Sequence, residues 1–197
     1  MTRAPQQDRS RRTVERILVA ADRLIAEHGS GVTTTAIAAE AGVSVGALYR
    51  FFPDKHAIGR ALADRYLKVA GARFATIIDR VESLDAIPDA LRAVIDVAAE
   101  LALEHPGYYR LTNERRPDEA GSVGHAVRVA MIDTFDSALV ALGATNEPAV
   151  RRAAVTMAIE TVRHTLAIAP VDEPARSTVL SELIEMVVFY AERRLAR

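Results

Sequence analysis

Apolar residues recur at intervals of three and four along almost the whole of this sequence, and this spacing is the feature that most restricts its fold. Near the N-terminus the pattern runs through Val14, Ile17, Leu18, Ala21 and Ile25. Residues spaced in this way lie on one face of a helix with 3.6 residues per turn. The alternating pattern of a half-buried strand is found nowhere in the chain. The sequence therefore predicts an all-α protein of about nine helices.

Helix-capping and helix-ending residues divide this pattern into segments. The first helix ends at Gly29-Ser30-Gly31, and two short helices follow, separated by Gly42 and ended by Pro53. Further helices are predicted over 55–81, 87–104, 108–115, 125–142, 148–168 and 173–197, with a loop over 116–124. Residues 1–10 are polar and lack periodicity, so they are predicted to form a flexible arm. We therefore expect an arm over 1–10, a small domain over 11–54 and a larger domain over 55–197.

The composition excludes several classes of protein. The chain contains no cysteine, so it has no disulfide, no thiolate metal site and no cysteine nucleophile. Its apolar runs stay below the ~18 residues that a membrane span needs, and we expect a cytoplasmic protein. The sequence lacks a glycine-rich phosphate loop and a nucleophile elbow, and no histidine follows a glutamate by three residues. We therefore expect no enzyme activity, no metal and no cofactor.

The charges are distributed unevenly between the two ends of the chain. Residues 1–60 carry nine basic and six acidic residues, whereas residues 61–197 carry sixteen basic and twenty acidic residues. Five arginines stand among the first sixteen positions. A basic front and an acidic rear indicate that only the front meets a polyanion.

Residues 33–52 have the pattern of a helix-turn-helix motif. Thr33-Thr34-Thr35 can cap the first of the two short helices and Ser44 the second, and Gly42 suits a left-handed turn between them. Glycine inside a helix costs roughly 0.5–1 kcal/mol relative to alanine, so Gly46 in the first turn of the second helix indicates a need for clearance. Small residues at an exposed first turn suit a helix that enters the major groove. The outward-facing residues of this helix are predicted to be Val45, Gly46, Ala47, Tyr49 and Arg50.

Groups that bind phosphate surround this predicted face. Thr33 and Thr35 offer hydroxyls at the start of one helix, Tyr49 offers a phenol, and Lys55 offers a cation at the start of the next helix. Corners of two helices joined through glycine also occur in proteins that never bind DNA. A helical adaptor without DNA binding is therefore the alternative that this pattern leaves open.

The segment VTTTAIAAEAGVSVGALYRFFPDKHAI resembles the DNA-binding signature of the tetracycline-repressor (TetR) family of transcription regulators. The resemblance implies a three-helix DNA-binding domain followed by a helical bundle for ligand binding and dimerisation. It implies a homodimer on a palindromic operator, acting as a repressor that a small hydrophobic or aromatic effector releases. Carried over by position, phosphates would be held by Thr33, Thr35, Tyr49 and Lys55, and bases would be faced by Val45, Gly46, Ala47 and Arg50. Ser44 is also expected among the DNA-binding residues.

Two positions depart from the family pattern. Phe51 stands where His or Tyr is frequent, and its ring cannot donate a hydrogen bond to a phosphate. Ala47 stands where Thr is frequent, and its methyl group can contact only a thymine methyl. We therefore expect this helix to make few direct contacts that distinguish bases, and we expect DNA shape to contribute much of the specificity.

The larger domain should contain a dimer interface and an effector pocket. The apolar stripe on the last helix could pair with its symmetry mate or could close the monomer's own core, and family resemblance favours the dimer. The expected interface residues are Leu180, Leu183, Ile184, Val187 and Val188. The candidate effector contacts are Tyr108, Tyr109, Asn113, Met131, Phe135, Met157, Glu160, Thr161 and His164. Glu160 and His164 stand four apart and could instead pair with each other.

Overall fold

The computed structural model describes residues 4–113 and 123–195, and the regular structure in these ranges is entirely helical, which confirms the predicted all-α class. Two 3₁₀ turns, Gly29–Gly31 and Leu84–Ala86, join some of the helices. The α-helices are α1 (Ala4–His28), α2 (Thr34–Glu40), α3 (Val45–Phe51), α4 (Lys55–Ile78), α5 (Ile87–Glu104), α6 (Pro106–Asn113), α7 (Val123–Ala141), α8 (Pro148–Ile168) and α9 (Ala175–Leu195). None of these helices has both the length and the apolar character that crossing a bilayer requires.

Three helices begin earlier than the sequence pattern predicts, and two of these differences involve proline. The third is α7, which begins at Val123 and not at His125. Helix α1 begins at Ala4, so residues 4–10 are helical where an arm is predicted. Helix α6 begins at Pro106 and not at Tyr108. Proline fits the first turn of a helix because an N–H group there has no partner within the helix. The predicted loop over 116–124 lies almost entirely outside the described residues.

The chain divides into two compact units. The first contains Met1–Leu67 together with His105–Gly124, and the second contains Lys68–Glu104 together with His125–Arg197. Helix α4 therefore runs from one unit into the other, and α6 belongs with the N-terminal helices. The sequence offers no signal for the placement of α6, because α6 is separated from α1–α3 by more than fifty residues.

The core of the first unit joins its helices around fully buried aliphatic side chains. Ile17 of α1, Ile37 of α2, Leu48 of α3 and Ile58 of α4 are almost completely buried in one cluster. Leu111 of α6 packs against the same cluster. The short helices α2 and α3 are too short to be stable alone, so this shared core holds them in place.

Helix α6 lies unusually close to α1. A Cβ atom added at Gly107 would stand 1.9 Å from the Asp22 carbonyl oxygen, so only glycine allows this approach. The Tyr108 N–H donates to Asp22 Oδ1 at 2.9 Å, and Arg110 Nη1 donates to the Ala26 carbonyl at 2.7 Å. These contacts satisfy one N–H group in the first turn of α6 and one carbonyl of α1.

Burial raises the pKa of the Asp22 carboxyl, while the Tyr108 hydrogen bond and the charges of His105 and Arg65 act in the opposite direction. Beside it, the Tyr66 and Tyr108 rings stack at 3.9 Å between centroids. The Tyr66 and Tyr109 hydroxyls lie 3.0 Å apart in a buried hydrogen bond. Burial also raises the pKa of Tyr66, so its phenol stays protonated.

The second unit is built on α5, α8 and α9, which pack against one another. Ile132 and Leu139 of α7, Val155 of α8 and Ala191 of α9 form a buried cluster. Arg176 of α9 is also buried, and it donates to the Ala99 carbonyl at 3.0 Å and to the Pro170 carbonyl at 3.3 Å. The first of these carbonyls lies in α5 and the second follows α8, so Arg176 ties α9 to its two neighbours.

The residues predicted for a dimer interface on α9 differ in burial. Leu183 is 3% exposed, and Val187 and Val188 are similarly buried within the chain's own core. Leu180 and Ile184 are half-buried. The apolar side chains that α9 does expose are Met186, at 53%, and Phe189, at 60%. The apolar stripe of α9 is wide. Side chains at its centre are buried in the chain's own core, and only side chains at its margin are exposed.

Candidate nucleic-acid interface

The two short helices begin at side-chain caps, as the sequence predicts. Thr33 Oγ1 accepts from the Ala36 N–H at 3.1 Å, and Ser44 Oγ accepts from the Ala47 N–H at 3.1 Å. Each hydroxyl uses an acceptor lone pair in this bond and keeps its proton for a further partner. The caps fix where α2 and α3 start and therefore which residues occupy their first turns.

The turn between α2 and α3 depends on glycine and on a distant arginine. Gly42 has φ = 62°, which places it in the left-handed region that favours glycine. Arg16 Nη2 of α1 donates to the Ala41 carbonyl and, at 2.8 Å, to the Gly42 carbonyl. Arg16 thus ties α1 to the turn. Sequence reasoning missed it because a single exposed arginine on a helix gives no signal of a contact 26 residues away.

Helix α3 presents an exposed edge of small side chains. Val45, Gly46 and Arg50 are exposed and Ala47 is half-buried, while Leu48 on the opposite face is fully buried. A Cβ atom added at Gly46 would meet nothing within 4 Å. The fold of the free protein therefore does not require glycine at this position, and its small size leaves open space outside the helix.

The polar groups beside this edge are held by neighbouring residues. Tyr49 is 48% exposed, and its hydroxyl lies 3.0 Å from Thr34 Oγ1. Lys55 Nζ donates to the Ser30 carbonyl. The sequence indicates Thr34 only as one of three possible caps of α2 and does not predict its contact with Tyr49.

Phe51, the departure from the family pattern, is half-buried against the core of the first unit. The Arg50 guanidinium lies 5.6 Å from the centroid of the Phe51 ring, a distance at which cation and ring attract each other. The nearby acidic residue Asp54 accepts from the Ala57 N–H at 2.6 Å, so its carboxylate caps α4. The Phe51 ring therefore supports the exposed Arg50 guanidinium, while Asp54 is occupied at the start of α4.

Comparison with known proteins identifies this arrangement. Residues 17–62, which span α1 to the first part of α4, match the family model described as "Bacterial regulatory proteins, tetR family". A TetR-family transcriptional regulator from Streptomyces coelicolor superposes with a TM-score of 0.69 at 25% identity, covering 93% of this chain and 99% of that chain. The resemblance to the TetR family is thereby confirmed for residues 17–62. TetR-family regulators, which these residues resemble, are transcription factors without enzymatic activity.

Two further solved structures share the fold of this chain. AibR, in complex with isovaleryl coenzyme A and operator DNA, has a TM-score of 0.69 at 14% identity and covers 88% of this chain and 97% of its own. RolR, in complex with resorcinol, has a TM-score of 0.57 at 15% identity and covers 96% and 97%. Among curated proteins, none matches the sequence.

The candidate effector contacts do not all lie in one unit. Tyr108 and Tyr109 are buried in the first unit, where they pack on Tyr66. Asn113 ends α6, and its side chain lies outside the described residues. The remaining candidates lie in the second unit and are Met131, Phe135, Met157, Glu160, Thr161 and His164.

The candidates in the second unit differ in exposure. Met157 is 57% exposed, and His164 is also exposed. Met131, Phe135 and Thr161 are half-buried and remain candidates.

Glu160 has partners within the chain. It pairs with Arg163 at 2.7 Å, with Arg128 at 3.5 Å and with His164 at 3.6 Å. The last contact is the pairing of residues four apart that the sequence left open as an alternative.

Proposed function

We propose that this protein regulates transcription by inserting α3 into the major groove of DNA as a dimer on a palindromic operator, and that a small-molecule effector releases it. The observation that carries this proposal is the exposed, sterically open edge of α3. Its glycine is not required by the protein's own packing, and Tyr49, Arg50 and Lys55 stand beside it. A groove-binding helix needs such an edge together with groups that hold the phosphates on each side.

In this proposal the residues divide by role. Val45, Gly46 and Ala47 face the bases, with Arg50 beside them and Ser44 at the start of the helix. Thr33, Thr35, Tyr49 and Lys55 bind phosphates. Lys55 exchanges the Ser30 carbonyl for a phosphate oxygen, because a charge-assisted bond to phosphate is the stronger of the two. With two aliphatic side chains and a glycine at the bases, sequence-dependent DNA shape supplies much of the specificity.

The effector is proposed to bind in the second unit. The solved structures of RolR and AibR contain resorcinol and isovaleryl coenzyme A, so proteins of this fold accept small organic ligands. Met131, Phe135 and Thr161 supply half-buried apolar and hydroxyl groups, and we expect a hydrophobic or aromatic molecule. Helix α4 belongs to both units. A ligand that favours a tilted α4 would therefore change the spacing between the DNA-binding units of the two protomers, so that they no longer match the two halves of the operator.

DNA binding is tested with a duplex that the wild-type protein selects from a random-sequence library. We expect Tyr49→Ala to weaken binding by about tenfold or more, since hydrogen bonds to charged groups contribute about 1.5–3 kcal/mol each. Affinity should fall steeply with salt for both proteins, because the salt dependence comes from the cationic groups and Tyr49 carries no charge. Fluorescence anisotropy at several salt concentrations measures both effects. Failure to select any duplex, or binding that salt does not weaken, would favour the helical adaptor.

The dimer is proposed to use the exposed margin of α9 and the exposed Met157 of α8. Met186 and Phe189 stand three residues apart on α9, and the Arg193 guanidinium lies 5.3 Å from the centroid of the Phe189 ring. Helices α8 and α9 pack against each other, so one face can present side chains from both. Apolar side chains of this size are seldom left exposed in clusters unless a partner covers them.

We expect the double variant Met186→Glu/Phe189→Glu to be monomeric and to bind the selected duplex at least about tenfold more weakly, because it buries charges at the interface without partners. Sedimentation velocity measures the mass and anisotropy measures the affinity. Val140→Glu, at an equally exposed valine on α7, is the matched control and should stay dimeric. A dimeric double variant, or a monomeric wild-type protein, would contradict this placement.

A further inference from the structure

The Tyr49 hydroxyl, which the proposed function assigns to a phosphate, has a fixed partner in the free protein. Thr34 Oγ1 lies 3.0 Å from it, and this is the only hydrogen bond that the Tyr49 side chain makes among residues 4–113 and 123–195. Thr34 is the first residue of α2 and is half-buried, whereas Tyr49 stands on the exposed side of α3. The bond therefore joins the start of one helix to the outer face of the next.

Thr34 is free for this role because its neighbour caps the helix. Thr33 Oγ1 accepts the Ala36 N–H, so the start of α2 does not depend on the Thr34 hydroxyl. Threonine is also branched at Cβ, which restricts its χ1 rotamers and makes it a stiffer support than serine. A tyrosine that is about half exposed would otherwise exchange between rotamers and lose conformational entropy on binding DNA.

Of the two possible directions of the Thr34–Tyr49 hydrogen bond, only one leaves the Tyr49 proton available for a phosphate. A phenol donates one hydrogen bond and can accept another. If Thr34 donates its proton to the Tyr49 oxygen, the Tyr49 proton points away from the protein, and the bond that Tyr49 accepts strengthens the bond that it donates. We infer that Thr34 is a positioning residue that orients the Tyr49 hydroxyl toward a DNA phosphate. This inference rests on the proposed function.

The experiment is a double-mutant cycle on the duplex selected by the wild-type protein, at one fixed salt concentration. We expect Thr34→Val, which keeps the shape and removes the hydroxyl, to weaken binding about three- to tenfold, as loss of one neutral hydrogen bond does. Thr34→Ser keeps the hydroxyl and should bind within about twofold of wild type. In a Tyr49→Phe background, Thr34→Val should cause no further loss, because the hydroxyl that it positions is already absent.

The cycle separates this inference from its alternatives. Equal losses from Thr34→Val in both backgrounds would show that Thr34 acts without Tyr49 and would overturn the inference. So would wild-type affinity in Thr34→Val. Thermal melting of each variant shows whether a loss of affinity comes from unfolding, and Thr34→Ala, which also lacks the hydroxyl, replaces Thr34→Val in the cycle if Thr34→Val melts early. A wild-type protein that selects no duplex would defeat the proposed function itself, whereas Tyr49→Phe weakening beside a silent Thr34→Val would defeat only the inference.

Discussion

Replacing Gly107 with alanine should lower the free energy of unfolding by about 3 kcal/mol or more, near the upper end of what a single added methyl group causes. The new Cβ would lie 1.9 Å from the Asp22 carbonyl oxygen and 2.6 Å from its carbonyl carbon. Both atoms belong to the backbone of α1 and cannot turn aside as a side chain would. Relief therefore requires α6 to move away from α1, which also stretches the Tyr108–Asp22 and Arg110–Ala26 hydrogen bonds.

Denaturant unfolding followed by circular dichroism measures this loss, and Gly71→Ala is its matched control. Gly71 lies in the interior of α4 and is exposed, and a Cβ atom added there would meet nothing within 4 Å. Alanine there should stabilise the protein by about 0.5–1 kcal/mol, because alanine has the higher helix propensity. If both variants are equally stable, the close approach of α6 to α1 is not a feature of the protein in solution.

The second large expected effect is a loss of DNA affinity in a variant that remains folded. Gly46→Leu should leave the fold intact, because a Cβ atom added at this exposed position meets nothing within 4 Å, and should raise stability slightly through helix propensity. Its affinity for the selected duplex should fall by at least about a hundredfold, which corresponds to about 2.7 kcal/mol. The leucine side chain would occupy the space into which the edges of the bases must fit.

Gly71→Leu is the control for this prediction, since it makes the same change at another exposed helical glycine with open surroundings. We expect it to bind the duplex as wild type does. Anisotropy titrations at one salt concentration compare the two variants, and thermal melting confirms that both are folded. Wild-type affinity in Gly46→Leu would mean that this edge of α3 does not enter the groove.

Local features of the DNA-binding unit could be predicted from the sequence because they depend on residues a few positions apart. The caps at Thr33 and Ser44 and the left-handed turn at Gly42 are set by the chemistry of single residues next to a helix end. The contacts that support them could not be predicted. Arg16 and Thr34 act on residues 26 and 15 positions away, and such pairs carry no periodic signal in a single sequence.

The second unit shows a different limit. Amphipathicity identified α9 as a helix with a broad apolar face, but not which part of that face the chain covers for itself. Leu183, Val187 and Val188 lie at the centre of the face and are buried, whereas Met186 and Phe189 lie at its margin. The effector candidates show the same limit, because the sequence does not indicate which side chains will surround a polar or aromatic residue on an apolar helix.

The central claim is that α3 enters the major groove, and protection of guanine N7 atoms from methylation tests it most directly, because N7 is exposed only in that groove. With the selected duplex, we predict protected guanines in two segments centred about 10–10.5 base pairs apart, and no protection by Gly46→Leu at the same concentration. A wild-type complex that leaves every guanine N7 reactive, while adenine N3 in the minor groove becomes protected, would contradict the account.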